Sequence, residues 1–304
     1  MTKQELNDFV LSQGGSFQQS YQWGELQERM GREVRRFLGD GFAATFVRHD
    51  LKMGKYYWLC PRGPVGQIDN LLSIISNLGG VFVRVEPELT PALSLEKRGW
   101  KKAPKDHNPR ATVLVNLSRG EVELLAMMHP KARYNLRLAQ KKGIKFIDSG
   151  SMSGMTDGFW DLLQKTAKRD KFYLHPQKYY ELLAQMPEIK IFGIYYEDEL
   201  ITTAMVSFWG DTAVYLHGAS DYEHRALMAP YLLHWEIIRQ AKASGLHYYD
   251  FGGVAPKDEL NHFLAGVSRF KSGWGGEYRE YAGSWDYVLD KKWYWIYKMA
   301  RKFL

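Results

Sequence analysis

Ile189-Lys190-Ile191-Phe192-Gly193-Ile194-Tyr195-Tyr196 reads as a strand that runs into the turn Glu197-Asp198-Glu199. Two more strands follow, Ile201 to Trp209 and Thr212 to His217. β-Branched and aromatic residues dominate all three, as suits a pleated, half-buried surface. After a loop, Pro230 to Ser244 carries a helical pattern and stops at Gly245, a residue type that accepts the left-handed backbone past a helix end. His247 to Phe251 closes the unit as a fourth strand. This order places a helix on one face of a mixed sheet.

The same order stands earlier in the chain. Val34 to Leu38 reads as a strand, meets the turn Gly39-Asp40-Gly41, and is followed by strands Phe42 to His49 and Lys55 to Cys60. A helix over Ile68 to Leu78 ends at Gly79-Gly80, and strand Val81 to Val85 closes the copy. The chain therefore reads as an α/β (α+β) protein of two tandem copies, each a mixed sheet flanked by helices. The expected domains are 1–143 and 144–286, with 287–304 packing back onto the first. A length of 304 residues suits two domains.

Composition narrows the class. Hydrophobic residues make up 45% and charged residues 25%, which excludes a disordered or collagen-like chain. No apolar run approaches the roughly 18 residues of a membrane span, and the polar start Met1-Thr2-Lys3-Gln4-Glu5 leads into no secretory signal. With one cysteine, Cys60, neither an internal disulfide nor a thiolate metal cluster is available. A cytoplasmic location is expected. The net charge of +7 suits a nucleic-acid, anionic-lipid or phosphorylated partner.

Two basic stretches stand out. Glu121 to Lys142 reads as a helix interrupted at Pro130. Arg133, Arg137 and Lys141 recur every four residues, so three cations share one helix face, either a solvated face or a phosphate-tracking surface. The last helix, Asp290 to Leu304, mixes Trp293, Trp295 and Met299 with Lys291, Lys292, Lys298, Arg301 and Lys302. It reads either as a helix packed on the first domain or as an amphipathic helix at a membrane interface. The signatures G-x-x-x-x-G-K-[ST], H-E-x-x-H and G-x-S-x-G are all missing, and the nine histidines show no zinc-ligand spacing.

Four segments, in order, resemble the FemABX family: Pro61-Arg62-Gly63-Pro64-Val65, Met228-Ala229-Pro230-Tyr231-Leu232-Leu233-His234-Trp235-Glu236, Tyr249-Asp250-Phe251-Gly252-Gly253, and Arg269-Phe270-Lys271-Ser272-Gly273-Trp274-Gly275-Gly276. The resemblance spans nearly the whole chain. It implies two Gcn5-related N-acetyltransferase-like (GNAT-like) domains and transfer of an amino acid from aminoacyl-tRNA to an amine of a peptidoglycan precursor, forming an interpeptide bridge. The coiled-coil hairpin of some members has no counterpart here. Neither metal nor bound cofactor is expected, because the aminoacyl ester is already activated, and the protein is expected to act as a monomer.

The resemblance also implies site residues. Lys271, beside Phe270, would face the oxyanion formed as an amine attacks an ester, where a fixed cation lowers the barrier. Taken alone, the same lysine reads as lying at a strand start. Glu86, after the strand Val81 to Val85, is expected near the acceptor amine, as a proton acceptor or an ammonium partner. His175 and Tyr179 fall where members acting on a UDP-linked precursor have an arginine and a tyrosine. The exchange of arginine for His175, with Glu25 standing where a second cation is expected, favours a lipid-linked precursor over a UDP-linked one. Arg62 and Arg225 are the replacement cations, Tyr215 and His217 are expected to line the cleft, and Tyr231 lies in the motif at the helix start. The loop His224 to Pro230 has no glycine, and Pro230 removes a backbone donor, which argues against a pyrophosphate grip for acyl-CoA. The alternatives are an N-acyltransferase with another donor, or a non-catalytic module that binds tRNA or anionic lipid.

Overall fold

The structure is a computed structural model and describes residues 1–67, 71–88, 92–148, 153–259 and 262–302. Helices α1 (Lys3–Ser12) and α2 (Tyr21–Arg29) precede strands β1 (Val34–Gly39), β2 (Phe42–Asp50), β3 (Tyr56–Cys60) and β4 (Val65–Gly66). Helix α3 (Leu71–Leu78), strand β5 (Phe82–Val85), helix α4 (Ala92–Lys97) and strand β6 (Lys101–Lys102) follow. Then come β7 (Ala111–Asn116), α5 (Glu121–Met127), α6 (Pro130–Gln140), β8 (Lys145–Asp148), α7 (Ser153–Asp170) and α8 (Gln177–Ala184). The second copy holds β9 (Ile189–Tyr196), β10 (Glu199–Trp209), β11 (Thr212–Ser220), α9 (Ala229–Ala243) and β12 (Tyr248–Val254). Helix α10 (Ala265–Ser272), β13 (Glu277–Glu280), β14 (Trp285–Val288) and α11 (Lys291–Lys302) complete the order. Residues 68–70 of the expected first-copy helix, and 303 and 304 of the expected last helix, lie outside the described residues.

The duplication is present in the pairing as well as the order. In the first sheet β1 pairs antiparallel with β2, β2 antiparallel with β3, and β3 parallel with β5 across α3. In the second, β9 and β10 pair antiparallel, as do β10 and β11, and β11 pairs parallel with β12 across α9. Helix stops occur where glycine permits them: Gly79, Gly80 and Gly245 all have positive φ. Pro130 breaks the long helical pattern as expected and opens α6 at its first turn.

The chain divides into one unit of Met1–Arg110 with Glu280–Leu304 and another of Ala111–Arg279. The expected boundary at 143 is corrected by strand pairing. β7 follows the first copy in sequence, yet pairs antiparallel with β12 of the second. β14 follows the second copy, yet pairs antiparallel with β5 of the first. Each sheet thus takes in a strand that follows the other copy in sequence, and β6 and β13 lie outside these two strands. Helix α6 goes with β7, since Ala132, Leu136 and Ala139 share a core with Leu233 and Ile237 of α9.

Strand alternation explains how the first sheet is covered on both faces. Trp58, Cys60, Val83 and Val85 point to one side and pack with Leu71, Ile75 and Leu78 of α3. Tyr57, Leu59 and Phe82 point to the other and pack with Tyr294 and Tyr297 of α11. Arg84 shares that second face and makes a bidentate pair with the buried Asp286 of β14, Nε to Oδ1 at 2.7 Å and Nη2 to Oδ2 at 2.8 Å. Tyr294 donates its hydroxyl to the same carboxylate at 2.9 Å. Cys60 is buried, and burial pushes its thiol pKa up, away from nucleophile chemistry.

Candidate active site

The second unit holds a cavity of about 560 Å³. The start of α9 (Met228, Ala229, Pro230, Tyr231), Tyr215 of β11, His234 of α9 and Phe270 of α10 form much of its wall. Met228 is a non-glycine residue in left-handed conformation, φ 54°, and Pro230 occupies the first turn of the helix. This loop has the missing glycine and missing donor that the sequence suggests.

A bulge in β11 decides which side chains reach the cavity. His217 pairs with Met205 and Tyr215 with Val206, so Leu216 is the extra residue. Without it, residues 215 and 217 would share a face. With it they part. Tyr215 packs against His234, at 4.8 Å between ring centroids, while His217 packs against Tyr180 at 5.0 Å. Of the two, Tyr215 is in the cavity wall and His217 is not. Gly218 is needed here: a Cβ at this position would overlap the Tyr215 hydroxyl.

On the His217 side three expected residues meet. His217 Nε2 is 3.3 Å from the Tyr179 hydroxyl, and the exposed His175 lies with its ring 4.3 Å from that of Tyr179. Burial, then the neighbouring His175, lower the His217 pKa to about 3, so its imidazole is neutral.

On the Tyr215 side stands Lys271. It occupies the last turn of α10 and not a strand start. It is the one buried lysine among the described residues. Its Nζ donates to the Gly253 carbonyl at 2.8 Å and lies 5.5 Å from the centre of the Tyr215 ring. Burial brings its pKa down to about 8, partly offset by Asp250. Asp250 is itself engaged: its Oδ1 accepts from the Thr112 hydroxyl and from the Gly252 backbone N–H. Lys271 does not line the cavity directly, and meets it through Tyr215 and its chain neighbour Phe270. Tyr231 stacks on Trp274 at 6.1 Å and meets Phe270 edge-on at 5.1 Å, which fixes the position of Phe270.

His234 is a site residue that the sequence reading missed. It is buried, and its Nδ1 is 2.7 Å from the Tyr249 hydroxyl. Tyr215, Phe251, Phe270 and Trp274 surround its ring. Burial, then Lys271, lower its pKa to about 3, so a neutral imidazole faces the cavity. The available signal was a polar ring among the apolar positions of a helix, inside the motif Met228 to Glu236.

Several of the remaining expected residues serve local structure. Glu86, in the first unit, is buried; its carboxylate accepts from the backbone N–H of His107 at 3.1 Å and of Asn108 at 2.9 Å, from Asn108 Nδ2 at 2.6 Å, and from the Ser284 hydroxyl. Burial opposes its ionisation, but His107, Arg62 and these hydrogen bonds prevail and hold its pKa below the usual range. What the geometry builds around Glu86 is an anchor for the 106–109 loop. Arg62 bonds the Pro109 carbonyl at 2.8 Å and pairs with Glu88 at 3.5 Å. Arg225 lines the cavity, bonding the Tyr222 carbonyl at 3.0 Å and lying over its ring. Arg133 turns inward and caps α5, donating to the carbonyls of Leu125, Ala126 and Met128 at 2.7–3.2 Å. Arg137 and Lys141 are exposed. Among the described residues, Glu199, Asp221 and His224 bring ligand atoms within 4.8 Å of one another. His224 pairs with Asp221 at 3.3 Å, and Asp221 also accepts from Glu223, as in a local turn.

A mixed sheet whose parallel strand pair flanks a crossover helix, built twice with a cavity at one helix start, defines a tandem GNAT-like fold. A tandem GNAT protein from the clavulanic acid biosynthesis pathway shares it, with a TM-score of 0.52 and 12% identity over 93% of this chain and 95% of that one. The crystal structure of FemX superposes with a TM-score of 0.85 and 20% identity, covering 98% of each chain. Residues 92–192 and 185–302 match the FemAB family, so the chain belongs to that family and is an aminoacyl-group transferase. The lipid II:glycine glycyltransferase of Staphylococcus saprophyticus is 24% identical, over 93% of this chain and 90% of the relative. That of Staphylococcus epidermidis is 22% identical, over 99% and 95%. The first alignment runs over 380 positions against a chain of 304 residues, so the relative carries stretches with no counterpart here. Among the described residues, no helix is long and apolar enough to cross a membrane.

Proposed function

We propose that this protein transfers an amino acid from aminoacyl-tRNA to an amine on the stem peptide of a lipid-linked peptidoglycan precursor, acting as a monomer on the cytoplasmic side. The observation that carries this reading is Lys271: a buried cation held by one carbonyl, beside a cavity walled by Tyr215, His234 and Phe270. The neutral acceptor amine attacks the ester carbonyl carbon and a C–N bond forms. Negative charge gathers on the carbonyl oxygen, where the Lys271 ammonium stabilises it in a site of low dielectric. The C–O bond to the ribose breaks, and the proton lost by the amine ends on the ribose oxygen. The cavity receives the amino-acid side of the donor, with the ester carbonyl at its edge, past Tyr215 and Phe270, where the Lys271 ammonium can reach it. A preference for a lipid-linked acceptor is supported by the names of the glycyltransferase relatives and by His175 standing where the UDP-linked grip would use an arginine. The exposed Arg137 and Lys141 are the candidates for phosphate contact, with Arg133 already committed to α5.

The test is a transfer assay with a pool of charged tRNAs against lipid-linked and UDP-linked precursors side by side. Transfer of one amino acid, faster to the lipid-linked acceptor, is the expected result. Transfer from acyl-CoA with none from any charged tRNA would reverse the reading.

A further inference from the structure

Helix α11 buries one side only. Tyr294 and Tyr297 are buried against Tyr57 and Phe82, with Trp293 packed beside them. At about 100° per residue, Lys291, Lys292, Trp295, Ile296, Lys298 and Met299 fall on the opposite arc. Trp295 is 64% exposed, Ile296 37% and Met299 36%, and the three lysines are exposed as well. The helix contains no acidic residue. A second element adjoins it. Leu51 packs into the same cluster as Trp293, and Lys55 Nζ lies 5.0 Å from the Trp293 ring. Between them the chain turns at Lys52, Met53 and Gly54, with Met53 in left-handed conformation (φ 61°) and 80% exposed. A methionine held in a sparsely populated conformation, with its side chain in water and a lysine on the preceding residue, gains nothing from its own fold. The nearest acidic groups on these two elements are engaged: Asp50 with Arg48, and Asp290 with the backbone N–H of Trp293.

We propose that the outer face of α11 and the Lys52–Gly54 turn form a docking surface for an anionic lipid bilayer. Exposed Trp, Ile and Met insert at the level of the headgroups while the lysines meet lipid phosphates, the combination that holds a peripheral helix at a membrane. A nucleic-acid backbone would reward the lysines but leave the four apolar side chains in water, so lipid is the better match. The inference goes beyond the proposed reaction and does not rest on it.

The test uses the full chain and vesicles of phosphatidylcholine, with and without phosphatidylglycerol and free of any cell-wall precursor, so the outcome is independent of catalysis. Sedimentation with the phosphatidylglycerol vesicles is expected, and it weakens with salt. Met53→Ser combined with Trp295→Ser is expected to weaken it by about tenfold, and separately Lys291→Gln with Lys292→Gln and Lys298→Gln by about a hundredfold, with melting temperature and transfer to a water-soluble acceptor unchanged. No sedimentation by the wild type, equal sedimentation with both vesicle types, or variants that bind as the wild type does would each overturn the proposal. So would variants that lose tRNA affinity in place of vesicle affinity.

Discussion

Lys271 sits where a lysine is costly to keep: buried, with a single carbonyl as its hydrogen-bond partner among the described residues and a pKa brought down to about 8. If its charge is what the reaction needs, activity falls as pH rises through about 8, since the ammonium is lost there. At lower pH the acceptor amine must shed its own proton, so the rate rises from acid and then declines. A profile of single-turnover rate against pH tests this, and a rate that climbs steadily well past pH 8 would count against it. Gly218 controls the neighbouring ring. Because a Cβ there would overlap the Tyr215 hydroxyl, Gly218→Ala is expected to push that ring out of place and lower transfer by at least about tenfold. The measurement is kcat beside a melting curve, and a variant with full activity would show that the Tyr215 position is not critical.

At the scale of elements, α5 and α6 depend on one another through Arg133. Its three carbonyl bonds close the end of α5, so Arg133→Ala is expected to destabilise the fold by about 1–3 kcal/mol. Arg137→Ala should leave stability alone and weaken binding of charged tRNA. Denaturant melts and a binding titration separate the two, and equal stability losses would remove the distinction. Much at this scale was legible in the sequence. The two copies announced themselves because turns at Gly39 to Gly41 and Glu197 to Glu199, and glycines after both crossover helices, are local signals. Pro130 announced its break in the same way. The bulge at Leu216 was not legible, because an extra strand residue leaves the alternating composition unchanged while reversing which face follows. Helix α10 was missed for a related reason: its last turn, Phe270-Lys271-Ser272, leads straight into glycines that mask helical periodicity. His234 was passed over because a histidine within an apolar helix face reveals its role only when β11 and α10 are brought against it.

For the whole molecule, the decisive feature is that each sheet takes in a strand from across the repeat, β7 on β12 and β14 on β5. Pairing at such sequence distance is set by tertiary packing, and no local motif announces it. The bidentate Arg84–Asp286 pair, with Tyr294 on the same carboxylate, ties the returning C-terminal segment to the first unit. Asp286→Ala leaves a buried guanidinium without its partner and is expected to cost about 3–5 kcal/mol. Limited proteolysis should then cut near β14 and α11 before anything else, whereas protection equal to the wild type would show that the apolar contacts of Tyr294 and Tyr297 suffice.

The proposed chemistry turns on the ammonium of Lys271 stabilising the oxyanion as ester becomes amide. Single-turnover transfer by Lys271→Met, with donor and acceptor saturating and their affinities measured separately, tests it most directly. The expected result is a rate lower by roughly 10²–10³ with both affinities little changed. A Lys271→Met variant that folds and transfers at the wild-type rate would contradict it.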